Sequence, residues 1–138
     1  MTADPGDWYH AERLHRAAAD GDRDLAAALI AEGVPLSTFD DIGYTPLHFA
    51  VRHGHFAIAQ LLIDAGADVN ARQEETNSNT AIAEAARSSS AEMVQFLLER
   101  GADPAIPGWM GIDAYVAADL RKDEHAPRIR NILRSHSR

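Results

Sequence analysis

Apolar residues recur along this chain at helical spacing, in short bursts closed by glycine. Leu14, Ala17 and Ala18 share one face of a helix that the pattern places over about Tyr9 to Ala19. Gly21 ends that helix as a left-handed cap, and Asp4-Pro5-Gly6-Asp7 ahead of it reads as a turn-forming lead-in. A second helix, about Leu25 to Glu32, groups Leu25, Leu29 and Ile30 and closes at Gly33. In the central stretch Thr45 is the helix N-cap and Pro46 takes the first helical position, where its missing N–H costs nothing. Ala50 keeps a packing surface small, and Gly54 supplies a turn with positive φ. Ile58, Leu61 and Leu62 form the stripe of the next helix, and Gly66 ends it. Further on, Met93, Val94, Phe96, Leu97 and Leu98 mark another helix closed by Gly101. Asp113 can cap a helix as threonine does. Pro127 can start the last one, with Ile129, Ile132 and Leu133 inward and Arg128, Arg130 and Arg134 outward; Ser135 to Arg138 is expected to fray.

The bursts repeat. Leu14, His15, Ala17, Gly21, Leu29 and Gly33 stand 33 positions before Leu47, His48, Ala50, Gly54, Leu62 and Gly66. Thr45 to Thr80 and Gly66 to Gly101 are both 35 apart, so two extra residues lie in the loop Arg72 to Asn79. Asp113 follows Thr80 by 33. Thr45-Pro46-Leu47-His48-Phe49-Ala50 has the form T-P-L-H-x-A, and Thr80-Ala81-Ile82-Ala83-Glu84-Ala85 repeats it weakly. On these residues the chain resembles the ankyrin-repeat family, of the small stand-alone bacterial type. The resemblance implies one all-α domain over 1–138, a solenoid of about four helix-turn-helix units with hairpin-like loops. The units are a capping repeat over about 8–40, repeats over 41–73 and 74–108, and a capping repeat over 109–138. A single unit cannot bury its own apolar face, so each needs neighbours. Ser89 replaces the glycine between the helices of the third unit, and Lys122-Asp123-Glu124-His125 disturbs the matching turn of the fourth.

Composition narrows the function. The net charge is −8. From Arg121 onward six basic and two acidic side chains give +4, and the remaining 120 residues carry seven basic and nineteen acidic, giving −12. Such a body repels nucleic acid and anionic membrane and suits a basic protein partner. The basic C-terminal helix, with Arg128, Arg130 and Arg134, leaves a nucleic-acid-binding accessory role as the alternative. The chain has no cysteine, which fits a reducing compartment and a cytoplasmic location. Its N-terminus lacks a basic start followed by an apolar run, so no secretory signal is expected. The longest apolar run, Ala26 to Ala31, is too short to span a bilayer.

No catalytic constellation is present. The glycine-rich phosphate loops, the G-x-S-x-G elbow and the H-E-x-x-H pair are all missing. Gly54 breaks the helix within the set His48, His53 and His55, so these rings are expected to point in different directions, and His10 and His15 are five apart and miss a common face. Ser88-Ser89-Ser90 has no adjacent base and reads as a turn that starts a helix. No enzyme activity, cofactor or metal is expected.

The resemblance implies structural roles for His48, which bonds Thr45 and the loop, and for His55, which tethers the next loop. It also implies a binding face made of loop tips and the exposed side of each unit's first helix. Carried onto this chain, that face comprises Asp41, Ile42, Tyr44, Arg52 and His53 from the central unit. The third unit offers Glu74, Glu75, Asn77, Asn79, Arg87 and Ser88, the fourth Trp109, Met110 and Ile112, and the first Trp8 and Tyr9. Trp8, Tyr9, Tyr44 and Trp109 all fall at or near tips, where an aromatic either joins an interface, since such residues are enriched in hot spots, or packs against its neighbouring hairpin. The implied function is a non-catalytic module that binds one protein partner and is monomeric when unbound. Its size and charge suggest an inhibitor or immunity protein that neutralises a basic toxin.

Overall fold

The computed structural model describes residues 5–73 and 78–136, with side chains from residue 12 onward. Eight α-helices follow one another: α1 Pro5–Asp20, α2 Arg23–Ala31, α3 Pro46–Arg52, α4 Phe56–Asp64, α5 Ala81–Ser88, α6 Ala91–Glu99, α7 Ala114–Leu120 and α8 Ala126–His136. A 3-10 turn, Trp109–Gly111, precedes α7, and no strand occurs among the described residues. Each odd helix packs on the even one after it. The odd helices also stack in chain order, α1 on α3 on α5 on α7, while α2 lies on α4 and α6 on α8. Two helical layers therefore share one core, as stacking of incomplete units requires.

Small residues let the odd helices approach closely. Ala17, Ala18, Ala50, Ala85 and Ala118 are all buried. Leu29, Ile58, Leu62, Met93, Leu97, Ile129 and Leu133 fill the space between the layers. Every residue from Ala81 to Ala86 of α5 is buried, so this helix lies at the centre of the stack.

Side chains close the helix ends as the sequence pattern requires. Thr45 Oγ1 accepts from the His48 amide, and His48 Nδ1 accepts from the Thr45 amide at 3.0 Å, a reciprocal capping box. Thr80, Ser90 and Asp113 cap α5, α6 and α7 in the same sense, and Asp22 caps α2. The imidazoles tie successive units together. His15 Nε2 donates to the Tyr44 carbonyl at 2.9 Å, and His48 Nε2 donates to the Asn79 carbonyl at 2.5 Å.

Several local expectations change. Helix α1 starts at Pro5 rather than Tyr9, so Pro5-Gly6-Asp7 is its first turn, where proline is tolerated. His55 reaches back rather than forward: its Nε2 donates to the Ala19 carbonyl at 3.1 Å. Its ring fills the space beside Gly21, where a Cβ would stand 2.7 Å from it. Arg130 is half-buried, not outward, and donates to the Ala118 carbonyl at 3.3 Å. Ser135 and His136 continue α8, and the Ser135 hydroxyl bonds the Asn131 carbonyl.

The two irregular turns explain each other. Ser89 is extended (φ −112°), so α5 stops without a glycine cap. The Arg121 guanidinium supplies the cap, donating to the carbonyls of Ala85, Ala86 and Ser89 at 3.4, 3.2 and 2.6 Å. Asp123 holds it with two bonds of 2.8 Å.

Two stability predictions follow from this packing. Leu62→Ala opens a cavity between the layers and is expected to cost about 2–5 kcal/mol in urea unfolding. The second concerns His48. Burial pushes its pKa below the ordinary 6.5, although the bond to Asn79 opposes the shift. Its Nδ1 must stay unprotonated to accept from Thr45. The unfolded chain therefore binds this proton more readily than the folded one. Stability from His48 is complete above pH 6.5 and is lost as pH falls through the lower folded value. Urea midpoints measured from neutral pH down to about pH 5 should fall more steeply for the parent protein than for His48→Gln.

Candidate functional site

Loop tips and odd helices form one ledge. At the first tip the Asp40 amide donates to the Tyr44 carbonyl at 2.9 Å. The Asp40 carboxylate accepts from the amides of Ile42 and Tyr44 at 3.0 and 2.8 Å. This closed turn pushes Asp41 and Ile42 outward, and Ile42 is 58% exposed. A second tip repeats the design, with the Gly108 amide bonded to the Ile112 carbonyl at 3.0 Å. Trp109 and Met110 project from it, 55% and 76% exposed, while Ile112 packs against the core. Met110 holds a left-handed backbone (φ 56°), which is uncommon for a residue with a side chain.

Asn79 sets the second tip. Its Oδ1 accepts from the Trp109 amide at 3.0 Å, and its Nδ2 donates to Glu84 Oε2 at 3.1 Å. Gly108 permits this approach, because a Cβ there would lie 2.2 Å from Asn79 Oδ1. Asn79 is thus committed to bonds within the chain.

Between the tips lies a groove of about 500 Å³, walled by Ile42, Tyr44, Trp109 and Leu120. Glu84 sits at its floor with only 1% of its side chain exposed. Burial alone would raise the Glu84 pKa. The hydrogen bonds from Asn79 and Arg87, and the charge of Arg87, outweigh that and hold the carboxyl below its ordinary value. The Arg87 Nη2–Glu84 Oε1 contact is 2.9 Å, yet the arginine side chain remains 53% exposed.

Tyr44 is half-packed rather than a loose tip aromatic. Its ring stacks on His48 at 5.3 Å between centroids and meets Phe49 edge-on at 5.7 Å. Its hydroxyl makes a long bond of 3.4 Å to Glu84. Burial, and then the Glu84 charge, push that hydroxyl above its usual pKa. Arg52 is exposed, with its guanidinium 5.7 Å from the centre of the Tyr44 ring. His53 and Ser88 are exposed at the ends of α3 and α5. A second groove, about 580 Å³, lies on the other side of Ile42 between α1 and Phe39.

Of the residues expected at the binding face, Ile42, Tyr44, Asn79, Arg87, Trp109 and Ile112 line the groove between the tips, with Met110 exposed beside Trp109. Asp41 borders the groove on the other side of Ile42, and Arg52, His53 and Ser88 line a further groove at the ends of α3 and α5. Glu74, Glu75 and Asn77 lie outside the described residues, as do the side chains of Trp8 and Tyr9. Sequence reasoning missed Glu84. Its one signal was position: it occupies the place of Phe49 in the weaker copy of the motif, on the side that faces the preceding tip.

On α8 Arg128 pairs with Glu92 at 2.9 Å and Arg130 bonds Ala118, leaving Arg134 exposed. Among the described residues no three His, Asp or Glu side chains converge as a metal site. No described helix is long and apolar enough to cross a membrane.

Comparisons with known proteins agree with this architecture. Residues 14–107 match the family model for ankyrin repeats, in three copies. A putative ankyrin repeat-containing protein of Treponema pallidum is 34% identical over 111 residues, 80% of this chain and 37% of that protein. The E3 ubiquitin-protein ligase hecd-1 of Caenorhabditis elegans is 33% identical over 132 residues, 92% of this chain and 5% of the ligase. The human GA-binding protein subunit beta-2 is 41% identical over 61 residues, 44% of this chain and 13% of that subunit. The chain therefore spans well under two thirds of the length of these relatives. With a period of 33 to 35, stacked helix pairs tied by imidazoles, and a family match over most of its length, this chain belongs to the ankyrin-repeat family.

Proposed function

We propose that the chain is a non-catalytic interaction module that binds one protein partner on the ledge of tips and odd helices. The observation that carries this is the second tip. Trp109 and Met110 are exposed large apolar residues, and internal bonds from Asn79 and Ile112 fix the turn that presents them. A presented aromatic anchor beside a groove is the usual core of a protein interface. Family membership supports the same reading, since ankyrin repeats are interaction modules. One relative, GA-binding protein subunit beta-2, is by its name a component of an assembly.

Partner chemistry is the finer part of the proposal. A net charge of −8 steers a basic protein toward the chain at long range. Neutralising a basic toxin is a narrower form of this reading, supported by charge and size alone. Nucleic-acid binding through α8 has less support, because Arg128 and Arg130 already hold partners within the chain.

A tagged copy of the chain should retain one protein from its native lysate. Against that protein, Trp109→Ala is expected to raise Kd about 30-fold, a hot-spot loss of about 2 kcal/mol. Calorimetric binding and urea unfolding would be measured together. Stability should change by no more than about 0.5 kcal/mol, because the side chain is surface-exposed and its backbone bond survives. Unchanged affinity for the retained protein would refute the ledge as the binding face.

A further inference from the structure

The net charge conceals an uneven spread: α1 and α7 expose Glu12, Asp20 and Asp119, and α8 exposes Arg128 and Arg134. The even helices and the turns beside them expose Asp24, Glu32, Asp64, Glu92 and Glu99. The two central odd helices do the reverse. Helix α3 contains no carboxylate, and the one carboxylate of α5, Glu84, is buried. What these helices expose is arginine: Arg52 and Arg87 are 35 positions apart, the same step as Thr45 to Thr80. They therefore hold equivalent places on adjacent, packed helices, whose axes typically lie about 8–10 Å apart.

Both arginines are oriented and underused. Arg87 is held through one nitrogen by Glu84, and a guanidinium carries about five N–H donors. Arg52 rests over the Tyr44 ring and has no ion pair among the described residues. On its far side Arg52 borders a groove of about 480 Å³ lined also by His53, Ser88, Arg121 and His125. The carboxylate in that groove, Asp123, is occupied by Arg121. Asp41 is exposed on the first tip, and Asp119 is exposed next to Leu120, which lines the groove that Arg87 borders. Among the described residues α3 and α5 thus expose no carboxylate at the centre of the ledge, while Arg52 and the spare N–H groups of Arg87 are exposed there. Exposed Ile42, Trp109 and Leu120 flank this centre.

We propose that the centre of the ledge receives an acidic segment of the protein partner, whose carboxylate is held by Arg52 and Arg87 while a neighbouring apolar side chain enters the groove beside Trp109. This rests on the reading of the ledge as the binding face. It does not conflict with a basic partner, because whole-molecule charge sets the encounter and local pairs set the contact. Arginine forks suit a carboxylate, and the flanking apolar wall suits a side chain rather than a phosphate backbone. The net charge of −8 also disfavours a polyanion.

The test uses the full chain and three labelled probes, read by fluorescence anisotropy at low and high salt. The probes are a short peptide alternating Glu with Trp, its Lys-for-Glu counterpart, and a single-stranded oligonucleotide of matched charge. The Glu peptide should bind at least about 10-fold tighter than the Lys peptide at low salt, with the gap closing at high salt. Arg52→Glu should abolish that preference and Arg52→Lys should restore part of it. Arg128→Ala, on the far layer, should leave it unchanged. Removing Arg87 strands a buried carboxylate, so Arg87→Ala is made together with Glu84→Gln and checked by circular dichroism.

Stronger binding of the Lys peptide, lost in Trp109→Ala, would overturn the charge assignment and leave the ledge standing as the binding face. Equal or tighter binding of the oligonucleotide through Arg52 would overturn the carboxylate. So would Glu-peptide binding that ignores Arg52→Glu, or no peptide binding at about millimolar concentration. A retained native partner indifferent to both Trp109→Ala and Arg52→Glu would remove the ledge itself.

Discussion

An imidazole N–H given to a carbonyl in the following loop holds this stack in register. His15 reaches Tyr44 and His48 reaches Asn79, and each ring thereby ties an odd helix to the tip region that follows. Hydrophobic burial brings the layers together but is indifferent to small slips. A buried directional bond is not, because a displaced carbonyl would be left without its donor. Both acceptors sit beside exposed groups. Tyr44 follows the tip that carries Ile42, and Asn79 grips the amide of Trp109. Order in the core and presentation at the ledge therefore depend on the same few contacts.

Much of the fold was legible because its signals are local. Thr45-Pro46 announces a helix start through one hydroxyl and one missing amide hydrogen. Gly54 and Gly66 announce turns through positive φ, which the structure shows at 74° and 109°. The period then assembles these pieces without any long-range information. Helix α1 was misread at its start because Pro5 suits a first helical turn as well as a loop, and no neighbouring residue decides between them.

The ledge was only partly legible. Positions such as Ile42, Trp109 and Met110 follow from repeat geometry, and their exposure follows from tips that project beyond the stack. Glu84 could not be read the same way. A glutamate in an alanine-rich helix looks solvated, and its burial depends on Tyr44, Asn79 and Arg87 converging on it. Two of those lie outside its own helix, and one belongs to another unit. The lack of an exposed carboxylate on α5 escaped for a similar reason: totals along a chain do not record which residues are buried.

The Arg121 guanidinium seated on the carbonyls of Ala85, Ala86 and Ser89 limits how such an array can be edited. Modular proteins of this kind are treated as strings from which a module can be duplicated, swapped or dropped. In this chain Ser89 and Arg121 form a matched lock and key across a junction, since the first lacks a glycine terminator and the second supplies it from outside. A duplicate of the central module placed after α6 would bring His53 to the corresponding place, with a shorter side chain and no fork of donors. The fourth module is therefore fitted to one neighbour rather than interchangeable with its siblings.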